Sequence, residues 1–253
     1  MFGLLGPVGL EVDGRDVDLG PGKQRAVLAA LLLTPGRAVP VETLVDRLWA
    51  GQPPRHPRRI LATYVSRLRR ALAPTGLASI RYASGGYAIG CDPDAVDLHR
   101  ARRLARQART AARVGDTHRA ADLFAAALAG WQSEALAGVS GEWPARMRDV
   151  LHAERLDLVA QRADADLGLG RHAEVVDELR ELVAQHPTAE ELAARLIRAL
   201  AADGRSVAAL ACYERLRRAV GDAFGTQPST PLRELHLRIL RNDPPPPARR
   251  LAR

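Results

Sequence analysis

The spacing of hydrophobic positions changes several times along the chain, and each change marks an expected element. At the start, Phe2–Leu5, Val8–Val12 and Arg15–Leu19 are short apolar or alternating runs, separated by Gly6-Pro7 and Asp13-Gly14. Such runs predict strands, and Asp-Gly between two of them predicts a hairpin turn. From Pro21-Gly22 the period lengthens to that of a helix, which runs through Leu33 and stops at Pro35-Gly36. A second helix is expected over Val41–Trp49, with Leu44, Val45 and Leu48 on one face, ended by Gly51, Pro53 and Pro54. A third is expected over Arg55–Leu72, closed by Pro74 and Gly76. Ser79–Ala83 and Tyr87–Gly90, joined at Ser84-Gly85-Gly86, predict a second hairpin.

Three helices between a sheet and a hairpin predict a winged helix-turn-helix carrying an extra N-terminal sheet, of the response-regulator type. After Asp92-Pro93-Asp94 the period is helical throughout, over Val96–Val114, Thr117–Trp131, Pro144–Leu169, His172–Gln185, Ala189–Ala202, Ser206–Val220 and Pro231–Leu240. Gly170-Arg171-His172-Ala173 returns 34 residues later as Gly204-Arg205-Ser206-Val207, and Asp116–Trp131 resembles a third copy of the half-unit. That period, with Pro187 closing a unit, is the tetratricopeptide period, although most signature positions differ. The expected class is therefore mainly α, with a winged-helix domain at 1–92 and an all-α, tetratricopeptide-like domain at 93–243. The proline-rich residues 244–253 are expected to form a disordered tail.

The Arg55–Leu72 segment carries the functional expectation. At about 100° per residue, Leu61, Val65, Leu68 and Leu72 fall on one stripe with Tyr64 at its edge, ready to pack on the first two helices. Arg59, Thr63, Ser66 and Arg70 fall opposite, with Arg67 beside them, while Arg58 and Arg69 lie near the buried edge. A narrow outer face of long hydrogen-bonding side chains suits the major groove, whose base edges present donors and acceptors. Arg59 and Arg67 are expected to read guanine, and the Thr63 methyl to meet a thymine methyl. Arg55, Arg58 and Arg70 are expected to hold phosphates and set register. Arg69 is expected to be structural, paired with an acid of another element. Tyr64 and Ser66 complete the helix's candidate set. Trp49 is read either as a phosphate donor or as a core or cap residue, and Arg81 is the only charged residue of the expected wing. Tyr87 is expected to pack.

Charge supports this placement. The formal charge is +8, and 36 of the 37 basic residues are arginine, a bias that reflects GC-rich coding as well as function. No Asp or Glu lies between Asp46 and Asp92, a stretch holding the eight arginines 47, 55, 58, 59, 67, 69, 70 and 81. A block of one sign repels itself unless a polyanion is present, and nucleic acid is the common one. Cys91 and Cys212 are far apart and without CxxC spacing, which argues against a disulfide framework and for a reducing cytoplasm, where a DNA-binding protein is expected on the nucleoid. The apolar run Ala26–Leu33 is too short to cross a bilayer, so no membrane partner is expected.

Catalytic patterns fail where they are tested. Gly168-x-Gly170-x-x-Ala173 mimics a dinucleotide fingerprint but joins two helices with no strand before it. Gly22-Lys23 lacks the upstream glycine and following Ser or Thr of a P-loop. The seven histidines are scattered without metal-ligand spacing. No enzyme, cofactor or metal is expected.

The chain resembles the Streptomyces antibiotic regulatory protein type of bacterial transcriptional activator. The resemblance rests on FGLLGPVGLEVDG, GKQRAVLAALLL, VETLVDRLW, ATYVSRLRRAL and Gly86-Tyr87, then on GRHAEVVDELRELVAQHP and PLRELHLRILRNDP, in this order over nearly the whole chain. It implies a helical activation domain, binding to tandem direct repeats in promoter DNA as a side-by-side pair, and recruitment of RNA polymerase holoenzyme to secondary-metabolite (antibiotic) gene clusters. Family wings usually carry an arginine just before the tip, where this chain has Ala83, so wing insertion falls to Arg81 if to any residue. The residues alone leave open a repressor with the same DNA-binding mode, or a helical-repeat adaptor binding a protein.

Overall fold

The breaks at Gly6-Pro7 and Asp13-Gly14 divide the first sixteen residues into β1 (Phe2–Gly3), β2 (Gly9–Val12) and β3 (Arg15–Asp16), an antiparallel sheet in that order. Asp13 and Gly14 both have positive φ, 50° and 74°, as a two-residue hairpin turn requires. The first strand is shorter than its apolar run because the Leu4 and Leu5 amides leave the ladder. They donate to the carboxylate of Asp97, at 2.9 and 3.0 Å. The computed structural model describes residues 1–241; the expected tail 244–253 lies outside the described residues.

Helix α1 (Gly22–Leu32) is buried along Ala26–Leu32, so it forms the centre of the helical layer. A two-residue strand that the hydrophobic pattern did not reveal, β4 (Val39–Pro40), leads directly into α2 (Val41–Trp49). Helix α3 spans Pro57–Leu72, two residues shorter at its start than the spacing suggested. Pro57 takes the first helical position, where its fixed φ fits and its missing N–H costs nothing. The hairpin of β5 (Ala78–Ala83) and β6 (Gly86–Cys91) follows, with β6 central in the sheet order β4-β6-β5. Its turn is two residues, Ser84 and Gly85, both at positive φ. Gly86 begins β6, because a Cβ there would stand 2.1 Å from the Val39 carbonyl oxygen, a distance only glycine permits.

The remaining elements are helical: α4 (Asp97–Arg113), α5 (Thr117–Leu128), α6 (Glu142–Gly168), α7 (His172–Gln185), α8 (Glu190–Ala202), α9 (Ser206–Phe224) and α10 (Thr230–Leu240). Each overlaps an expected helix. Three turns repeat one geometry: the amides of Asp116, Arg171 and Arg205 donate five residues back, to Ala111, Asp166 and Leu200, each after a positive-φ glycine. That is the Schellman closure, and the turns at Arg171 and Arg205 are the physical content of the 34-residue repeat.

By compactness the chain divides into two units that interleave in sequence. One unit holds residues 1–105 and 126–156; the other holds 106–125 and the chain from 157. Within the first unit, residues beyond 92 satisfy the N-terminal sheet. Besides Asp97, Leu136 N donates to Leu4 O, Ala137 N to Gly6 O, and Val8 N to Ala137 O, at 2.9–3.1 Å. His99 Nε2 lies 2.8 Å from the Leu32 carbonyl at the end of α1. Arg102 is held bidentately by Glu154, two bonds of 2.8 Å that raise its pKa. In the second unit α8 packs between α7 and α9, with Leu196, Ile197 and Leu200 buried. Asp164 there receives both Arg195 and Arg198, at 2.7 and 2.9 Å. No helix among the described residues is long and apolar enough to cross a membrane.

Candidate nucleic-acid interface

Helix α3 is amphipathic in the way the spacing predicted. Leu61, Val65, Leu68 and Leu72 are at most 1% exposed. Arg59, Thr63, Ser66, Arg67 and Arg70 are exposed on the other side, and Tyr64 is half-buried at the edge. The Thr63 hydroxyl bonds the Arg59 carbonyl at 3.0 Å, so that group is engaged by its own helix and the methyl remains for a partner.

The eight arginines of the acid-free stretch separate into two groups. Three are engaged. Arg47 lies 5.2 Å from the Trp143 ring centroid, and burial lowers its pKa. Arg58 pairs with Glu42 in the first turn of α2, at 2.7 Å between exposed side chains. Arg69 Nε donates to the Ile80 carbonyl of β5 at 2.8 Å. Arg69 is thus structural as expected, but its partner is a strand carbonyl; no acid is available in this stretch to receive it. The side chains of Arg55, Arg59, Arg67, Arg70 and Arg81 are exposed and have no ion pair or hydrogen-bond partner among the described residues. Arg55 stands in the bend before α3 and not on it. The outward side is therefore a set of extended cations with no internal anion, a surface that can neutralise phosphates and donate paired hydrogen bonds to base edges.

Trp49 ends α2 half-buried. Lys23, the sole lysine, donates to the Leu48 carbonyl at 2.7 Å and stands 5.7 Å from the Trp49 ring centroid. Spacing does not reveal this ammonium beside Trp49, because Lys23 and Trp49 belong to different helices. On the wing, Arg81 pairs in register with Ala88, and Tyr82 lies directly opposite Tyr87. Tyr87 is half-buried and packs edge-on against Tyr82, with ring centroids 5.3 Å apart. Among the described residues no group of His, Cys, Asp and Glu could hold a metal ion.

A central apolar helix, a helix pair with one basic face, and a hairpin beside them define a transcription regulator of the winged-helix class. Residues 14–88 match the family model for the C-terminal region of transcriptional regulatory proteins, and residues 96–240 match that of the bacterial transcriptional activator domain. The regulatory protein AfsR of Streptomyces coelicolor is 45% identical over 244 residues, 96% of this chain but 24% of AfsR. The regulatory protein DnrI of Streptomyces peucetius is 35% identical over 250 residues, covering 95% of this chain and 92% of DnrI. A solved structure of Mycobacterium tuberculosis EmbR, in complex with a low affinity phosphopeptide, superposes with a TM-score of 0.93 at 32% identity, over 98% of this chain and 66% of EmbR. The chain belongs to the Streptomyces antibiotic regulatory protein family of transcription regulators. It spans about a quarter of the length of the AfsR relatives. These are regulatory families, and the role they indicate is not enzymatic.

Proposed function

We propose that the protein is a sequence-specific activator that binds direct repeats in promoter DNA through α3 and recruits RNA polymerase holoenzyme to a secondary-metabolite (antibiotic) gene cluster. The observation that carries this reading is the outward face of α3, where Arg59, Arg67 and Arg70 stand exposed without an internal partner. Arg59 and Arg67 read guanine edges, with the Thr63 methyl against thymine; Arg55 and Arg70 hold phosphates beside them, and Ser66 and Tyr64 line the same helix. Arg58 reaches a phosphate only by exchanging Glu42 for it, so its share is smaller than its position suggests. Trp49 and Arg81 flank the site from α2 and the wing.

Two copies side by side on direct repeats meet head to tail, not about a two-fold axis. Activation, polymerase recruitment and the type of cluster rest on family membership, and the nucleoid is where such a protein acts. A mobility-shift titration on the DNA upstream of the adjacent cluster tests the reading. Arg67→Ala is expected to weaken binding by about 1–3 kcal/mol, the worth of one bidentate base contact. Binding by the variant at wild-type affinity would remove Arg67 from the reading set.

A further inference from the structure

The tip of the wing has almost no reach. Ala83, Ser84, Gly85 and Gly86 are small, and strand alternation sends Arg81 to the face opposite Ile80 and Tyr82. Tyr82 is the exception. It is 61% exposed, a large aromatic ring left in water beside the turn. Tyr87 directly across the strand pair meets it at 73° between ring planes, which restrains the ring without covering it. Ordering cost on binding is correspondingly small. The strand itself is tied to α3: Ile80, two residues earlier on the same face, is buried, and its carbonyl accepts the Arg69 bond.

We propose that Tyr82 is the wing's DNA contact, its ring against a deoxyribose at the minor groove flanking the α3 site and its hydroxyl donating to a phosphate oxygen. The inference rests on α3 reading the adjacent major groove. Charge selects the partner: the wing belongs to a stretch with no acid between Asp46 and Asp92, with Arg81 one residue away. A phenol is a neutral donor, so this contact adds affinity without displacing a counterion of its own.

Hydroxyl-radical footprinting and fluorescence anisotropy on single-repeat and two-repeat duplexes, with wild type, Tyr82→Ala, Tyr82→Phe and Arg67→Ala, separate the outcomes. Tyr82→Ala is expected to lose protection of the flanking sugars and more than about tenfold in affinity, of which one hydrogen bond to a charged oxygen accounts for about tenfold, with the salt slope unchanged. Tyr82→Phe keeps the ring and so keeps the sugar protection, while losing the hydroxyl's share of affinity. Matching melting temperatures exclude a collapsed wing; if Tyr82→Ala melts low, Tyr82→Phe decides. Wild-type affinity and protection in both tyrosine variants would overturn the inference. So would a loss confined to cooperative binding on two repeats, which would make Tyr82 a contact between copies. If Arg67→Ala and wild type alike show no salt-dependent duplex binding, the α3 reading itself fails.

Discussion

Arg67 and Arg69 lie two residues apart on α3 and have different tasks. Arg69 turns its Nε to the Ile80 carbonyl and so fastens helix to wing, whereas Arg67 extends into solvent. Arg69→Ala is expected to cost about 1–2 kcal/mol in urea unfolding, the loss of a charged donor from a half-buried acceptor. Arg67→Ala should unfold like the parent. The helical wheel was enough to separate these two by face. It did not reveal what Arg69 touches, because β5 approaches α3 from eleven residues along the chain. The Arg58–Glu42 pair is illegible for a related reason: Glu42 belongs to a different helix, and a wheel shows one helix at a time.

At the scale of elements, period and turn residues revealed every α-helix among the described residues to within about a turn, because each ends on a glycine, a proline or a closing turn. The two-residue β4 was illegible. Val39-Pro40 has no alternation to display, and it is a strand only because Gly86 lets the backbones approach. The same pinning keeps the wing beside the start of α2, where Val41 N donates to Gly85 O. The exposed cations on and beside α3, with Arg81 on the wing, set an electrostatic expectation. With Arg55 and Arg70 on phosphates and Arg58 and Arg81 beside them, log affinity for duplex DNA should fall with log salt at a slope of about −2 to −4, near −0.9 per phosphate neutralised. Arg70→Ala should reduce that slope by about one contact, measured by anisotropy across a salt series. A slope near zero would contradict the assignment of these arginines to phosphates.

At the scale of the molecule, the N-terminal sheet depends on residues far along the chain. Asp97 receives the amides of Leu4 and Leu5 as well as its neighbour Leu98, and Arg148 caps the carbonyls of Ala135, Leu136 and Val139. Hydrophobic periodicity cannot show such bonds. Burial raises the Asp97 pKa above its ordinary 3.8, against the pull of the three amides and His99. The folded state therefore holds that proton more tightly than the unfolded state. The stabilisation it brings is complete below 3.8 and is lost as pH rises through the folded value. Asp97→Asn removes this dependence. The wild type's advantage over the variant in urea unfolding should accordingly shrink from acid to neutral pH, and a difference constant with pH would contradict it.

The central claim is that α3 lies in the major groove, and guanine N7 is the atom that reports on it most directly. Dimethyl sulfate protection on promoter DNA is expected to show guanines shielded in two directly repeated patches, with one guanine in each exposed again by Arg67→Ala. A retarded complex with every N7 open to methylation, or patches arranged as a palindrome, would contradict the account.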